Sequence, residues 1–223
     1  MLDNPIWEAL GTRQARLAET AGSARWFLPE VSLLAGLREP SREAFESVAS
    51  LARPGEPAGL FLERPAEPVA GWSIERAGPL LQLWHRGEAL PAEPRGFVEL
   101  AEPDVPEMLE LARLTKPGPF SVRTRELGTY LGVRTDGKLV AMAGERLSVP
   151  GYTEISAVCT HPDHLGRGHA RALMAELAAR IRRRDDVPFL HVLPENTRAA
   201  ELYERVGFTV RARLHYAIYR REA

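Results

Sequence analysis

The chain has 223 residues, 44% of them hydrophobic and 26% charged, with 29 Lys and Arg against 30 Asp and Glu. That length can bury one large core or two small ones, and the near-neutral charge balance leaves no electrostatic footprint for nucleic acid. No apolar run approaches the roughly 20 residues of a membrane-spanning helix, and the lone cysteine, Cys159, cannot form an internal disulfide. Because the start, MLDNPIWEAL, also lacks a secretory pattern, a cytoplasmic location is the expectation.

Residues 4–17 and 42–51 carry apolar side chains at helical spacing, and residues 59–62 and 79–84 read as short strands. This part offers no chemical motif: His85 stands alone, and Trp7, Trp26, Trp72 and Trp84 are too scattered for a stacking groove. Residues 86–95, rich in Pro, Gly and charge, read as a linker, which puts a domain boundary near residue 92. Residues 1–92 are therefore expected to form an N-terminal α/β domain, and residues 93–223 a second one.

In the second domain, residues 97–100 predict a strand. Asp104, with Glu107 three residues on, predicts a variant capping box opening a helix whose apolar face is Val105, Met108, Leu109 and Ala112. Lys116-Pro-Gly-Pro119 breaks that helix, a short one follows at 123–127, and the segment between reads as a pocket-lining loop. Asp136-Gly137 favours a tight hairpin between strands at 130–134 and 139–146. Then come a strand at 153–160, a glycine-bearing turn, and a helix at 168–184 with Ala170, Leu173, Met174, Leu177 and Ile181 on one face. A strand at 189–193, a helix at 196–206 closed by Gly207, and a strand at 208–219 complete a sheet of mixed direction.

The segment most informative about chemistry is Cys-Thr-His-Pro-Asp-His-Leu-Gly-Arg-Gly-His-Ala at 159–170. Gly166, Gly168 and Ala170 let backbone approach a ligand where a helix starts, and the helix dipole with Arg167 suits a pyrophosphate without a metal ion. A plain tight turn is the competing reading of the same glycines. There is no P-loop pattern, and Gly166-x-Gly168 lacks the third glycine of a dinucleotide fingerprint. His161, His164 and His169 lack metal-ligand spacing, so no metal site is expected.

These residues resemble the GCN5-related N-acetyltransferase (GNAT) superfamily, in particular its FR47-like branch, over residues 97–219. The family signature Q/R-x-x-G-x-G/A is met at its end by Gly168, His169 and Ala170, with Leu165 where Gln or Arg is usual. A second match runs through Asn196, Ala199, Leu202, Tyr203, Glu204, Gly207 and Phe208. The resemblance implies the GNAT fold, a mixed and mostly antiparallel sheet flanked by helices, here with the additional N-terminal α/β domain. It also implies acetyl-CoA as co-substrate, no metal, and direct transfer to a primary amine of a small molecule or peptide.

By the same resemblance, backbone groups of Val158, Cys159 and Thr160 bind the pantetheine arm like an added strand, which requires that strand to part from its neighbour. Leu165, Gly166, Arg167, Gly168, His169 and Ala170 form the diphosphate loop; losing a polar side chain at 165 costs about 1–2 kcal/mol of affinity, the scale of one charge-assisted hydrogen bond. Glu154 stands at the position of a glutamate base whose pKa burial would raise; a salt-bridged strand carboxylate is its other reading. Tyr203 matches the tyrosine that protonates the leaving thiolate, against a plain core aromatic. Asn196 touches the pantetheine arm or simply caps its helix. Cys159 reads as a buried structural residue, not a nucleophile. A non-catalytic acyl-CoA-binding regulatory module is the alternative function, and the N-terminal part is open to being a decayed copy of the same fold that shapes the pocket or a homodimer interface.

Overall fold

Strand-forming sequence outweighs helical sequence in this chain, and the computed structural model, which describes residues 1–87 and 96–222, arranges it in two sheets. The smaller is antiparallel and comprises β1 (Ala18–Ala21), β2 (Ala24–Phe27) and β3 (Ala35–Leu37). The larger contains β4 (Pro57–Leu62), β5 (Trp72–Trp84), β6 (Val98–Glu99), β7 (Tyr130–Thr135), β8 (Lys138–Val149), β9 (Tyr152–Thr160), β10 (Val187–Val192) and β11 (Thr209–Arg221). Its spatial order is β4-β11-β5-β10-β9-β8-β7-β6. Every pairing in it is antiparallel except β9 with β10. That exception follows from the connection: the chain crosses from β9 to β10 through α4 (His169–Arg182), and parallel neighbours need such a crossover.

Local chemistry explains the elements nearest the site. Asp136 and Gly137 both have positive φ (49° and 79°), the geometry of a two-residue turn that matches strand twist, and they set the register Thr135↔Lys138 of the β7–β8 hairpin. Helix α4 buries Leu173, Met174, Leu177, Ala178 and Ile181 against Leu131, Ala141, Ala143, Ile155 and Leu190 of the sheet. The alanines in β8 let the helix come close. Beyond helix α5 (Thr197–Arg205) and its cap Val206, the chain turns away through Gly207, whose φ of 95° is the left-handed exit anticipated from sequence.

The opposite face of the sheet is covered by α1 (Pro5–Gly11) and α3 (Val105–Thr115). Ile6, Ala9 and Leu10 pack with Leu147, Val149 and Phe189, while Met108, Leu111 and Ala112 pack with Tyr130, Met142 and Cys159. Helix α2 (Arg42–Leu51) sets Phe45 and Val48 against Trp72 and Tyr219. The expected boundary at residue 92 and most of the linker at 86–95 lie outside the described residues. Strands from before it enter the large sheet all the same: β5 lies between β10 and β11, bonded to both.

Several sequence expectations differ in detail. The helix expected at 4–17 stops at Gly11 and resumes as a short turn at Ala15–Leu17. Buried Gln14 ties this exit to β8, donating to the Leu127 and Arg146 carbonyls and accepting from the Ser148 amide. The strand expected at 79–84 begins at Trp72, and β1, β2 and β3 had no counterpart, being too short to show alternation. Asp104 does not cap α3. Its carboxylate accepts from the Ala101 amide at 2.7 Å and pairs with Arg134 at 2.6 Å, and Glu107 joins the same arginine at 2.7 Å.

Candidate active site

Strands β9 and β10 pair only from Tyr152↔Val187 to Glu154↔Phe189. Beyond that point β9 stays bonded to β8 as far as Thr160↔Ala141, and β10 to β5 as far as Val192↔Leu81. The sheet therefore splits along its middle. Two strand edges face each other across the gap, each able to pair with an extended ligand. Val158 and Thr160 are half-buried and Cys159 is buried on the β9 edge. The register moves from Ser156↔Gly144 to Cys159↔Met142, so Ala157 and Val158 together oppose Ala143. Ala157 takes a φ of 53°, a strained left-handed value for a non-glycine residue, and the resulting bulge re-aims the backbone inside the gap.

At the end of β9 the His161 amide donates to Val140, and Pro162–His164 forms one 3₁₀ turn. Leu165, Gly166, Arg167 and Gly168 follow as exposed residues, with His169 and Ala170 half-buried at the head of α4. Gly166 and Gly168 have φ of 77° and 75°, conformations that exclude most side chains. Gly168 is the N-cap of α4, and no side chain caps that helix start. The first turn thus presents backbone donors and the positive end of the dipole at the mouth of the split, an arrangement with the chemistry to attract an anion. The His161 and His164 rings lie 5.8 Å apart, and among the described residues no His, Cys, Asp or Glu cluster has the makings of a metal site.

Glu154 is fully buried. Its Oε1 takes Arg146 Nη2 at 2.6 Å and His191 Nδ1 at 2.6 Å; its Oε2 takes Arg146 Nε at 2.8 Å and the Leu147 amide at 3.3 Å. Burial alone would raise this carboxyl's pKa, but the Arg146 charge and the hydrogen bonds from Arg146 and His191 outweigh it and hold the value at about 2. This reverses the expectation of a raised pKa: the group is a clamped carboxylate with its acceptor positions filled. Arg211 donates to Gln82 Oε1 at 2.7 Å, which turns Gln82 Nε2 toward His191 Nε2 at 3.0 Å. Since that amide nitrogen only donates, His191 Nε2 accepts and Nδ1–H faces Glu154. Burial accordingly lowers the His191 pKa and keeps the ring neutral.

Tyr203 lies on α5 and packs beside Phe208, ring centroids 6.4 Å apart. Burial pushes its pKa to about 12, with the Arg146 charge pulling the other way, and its hydroxyl has no hydrogen-bond partner among the described residues. It is a protonated donor at neutral pH. Asn196 caps α5 by accepting from the Ala199 amide at 3.2 Å. Burial raises the Cys159 thiol to about 11, so it stays protonated. A cleft of about 1150 Å³ lined by Phe45, Leu60, Trp72 and Tyr219 lies elsewhere and includes none of these residues. Sequence reasoning missed Arg146, His191 and Gln82. A charged or polar side chain inside an apolar strand was the available signal, but nothing local says which such groups meet across strands.

The family described as FR47-like protein matches residues 130–217. Among solved structures, a protein assigned to the GNAT acetyltransferases from Novosphingobium aromaticivorans is 36% identical, with 100% of this chain and 99% of that chain covered and a TM-score of 0.93. A GCN5-related N-acetyltransferase from Kribbella flavida shares the fold at 19% identity and TM-score 0.60, covering 94% of this chain and 95% of that one. So does a GCN5-related N-acetyltransferase-like protein from Streptococcus suis, at 16% identity and TM-score 0.60, covering 98% and 92%. No curated protein matches the chain. The chain belongs to the GNAT family of acyl-CoA-dependent acetyltransferases. Among the described residues no helix is long and apolar enough to cross a membrane.

Proposed function

We propose that this protein transfers the acetyl group of acetyl-CoA to a primary amine by direct attack. The observation that carries the reading is the split between β9 and β10, with an uncapped helix start at its mouth and a protonated tyrosine beside it. The pantetheine arm runs along Val158, Cys159 and Thr160, and the diphosphate rests on residues 165–170. The neutral amine attacks the thioester carbonyl, so a C–N bond forms as the C–S bond breaks. Backbone donors at the Ala157 bulge stabilise the oxyanion, and the Tyr203 hydroxyl protonates the departing thiolate. Glu154 is too weak a base at a pKa of about 2, so the ammonium proton leaves through water. Asn196 contributes by fixing α5, and with it Tyr203.

Calorimetric titration with acetyl-CoA, followed by thiol release over a panel of amines, tests this. Binding with amine-dependent release is the expected result. No binding at millimolar coenzyme, or binding with no release from any amine, overturns it; the second outcome makes the chain an acyl-CoA-binding module.

A further inference from the structure

Two polar groups on one sheet face have unused bonding capacity. Glu154 engages Arg146 through Nε and Nη2 only. That side-on grip leaves Nη1 without a hydrogen-bond partner among the described residues, and the outer Nη1/Nη2 fork intact. The Arg146 side chain keeps 16% of its surface exposed, so the fork is not sealed in the core. Phe61 flanks it, 5.7 Å from the guanidinium carbon to the ring centroid.

Tyr130 is the second group. It is 1% exposed, and its hydroxyl makes no hydrogen bond among the described residues while keeping contact with solvent, so it is free to receive a ligand. Its direction is set by Gly144, its register partner on β8: a Cβ there would lie 2.2 Å from the ring, so the ring lies across β8 and carries the hydroxyl toward β9. Arg146, two residues on from Gly144, reaches over β9 from the same face. Phe120, from the loop at 116–120 expected to line the pocket, closes on Tyr130 edge-to-face at 5.7 Å.

We propose that the outer edge of Arg146 and the Tyr130 hydroxyl form a carboxylate-binding subsite beside the split, so that the acyl acceptor is a short amine bearing a carboxylate. This rests on the transfer reaction proposed above. A guanidinium already held on one edge is rigid and presents its remaining parallel donors in the spacing of a carboxylate, with a neutral O–H as a third donor. Arg146 is then the positioning residue that orients the amine toward the thioester.

The test compares matched acceptors on the full chain with saturating acetyl-CoA: β-alanine against β-alaninamide, and glycine against glycinamide, each rate corrected for the fraction of neutral amine. The acids are expected to exceed the amides in kcat/KM by about 10-fold or more, the discrimination of a charge-assisted pair. Tyr130→Phe and Arg146→Lys should each reduce that ratio at least about 5-fold; the lysine keeps a charge for Glu154 but has no fork. Equal use of acid and amide by the wild type, or a ratio unchanged in both variants, overturns the subsite. A second arm uses propylamine with succinyl-CoA and acetyl-CoA: a preference for succinyl-CoA that Tyr130→Phe removes would place the carboxylate on the acyl group and overturn the acceptor assignment. A third arm measures the melting temperature with coenzyme A plus propionate or propionamide. Stabilisation by propionate alone, lost in Tyr130→Phe, sustains the subsite even if no amine is acetylated. Transfer to neutral amines without acid preference removes the subsite and leaves the transfer reaction standing.

Discussion

Replacing Glu154 by Gln separates a structural carboxylate from a catalytic one. In the fold this carboxyl titrates at about 2 against an ordinary value of 4.5. At about 1.4 kcal/mol per pH unit, the difference corresponds to about 3 kcal/mol of stability at neutral pH. Because the folded pKa is the lower one, that contribution is complete above about pH 4.5 and disappears as pH falls toward 2. The substitution also strands Arg146, whose side chain is only 16% exposed, without its counter-charge. Removing one partner of a buried pair costs about 3–5 kcal/mol, so the two estimates agree in scale. Urea unfolding at pH 7, 5 and 3 is the assay. Wild type should lose stability between pH 5 and 3 far more than Glu154→Gln does, and the curves should converge in acid. In folded Glu154→Gln the pH profile of kcat/KM should keep the wild-type shape. A variant within about 1 kcal/mol of wild type at pH 7 that loses a rate limb near pH 6 would refute this account and restore Glu154 as the base.

Three other perturbations probe separate parts of the site. Gly168→Trp places a large side chain at a φ of 75° where the coenzyme diphosphate is proposed to sit, and should abolish acetyl-CoA binding by calorimetry while leaving the melting temperature within a few degrees. Tyr203→Phe keeps the ring packed beside Phe208 but removes the acid; kcat should fall about 10- to 100-fold with little change in KM for acetyl-CoA. Gly144→Ala drives a Cβ to 2.2 Å from the Tyr130 ring inside a packed cluster, which should cost about 1–3 kcal/mol in urea unfolding.

Local chemistry wrote much of the second half into the sequence. The Asp136-Gly137 turn, the apolar stripe of α4, the glycines at 166 and 168 and the exit at Gly207 all occur where their residues require them, because each depends on neighbours within a few positions. The strand that parts from its neighbour was implied by the family resemblance, and the pairing that stops at Glu154↔Phe189 gives it a location. Three things were decided only by tertiary structure. The insertion of β5 between β10 and β11 joins positions more than a hundred residues apart, and no periodicity encodes which strand takes which edge. The ionisation of Glu154 depends on Arg146, which the β8–β9 pairing brings beside it, and on His191, which arrives from the next strand but only after α4. Burial alone pushes a carboxylate up in pKa, and one donor from the neighbouring hairpin strand with one from across the α4 crossover reverses the sign. The exposed fork of Arg146 and the unpartnered hydroxyl of Tyr130 became visible for the same reason: satisfaction of a polar group is a property of everything that surrounds it in space.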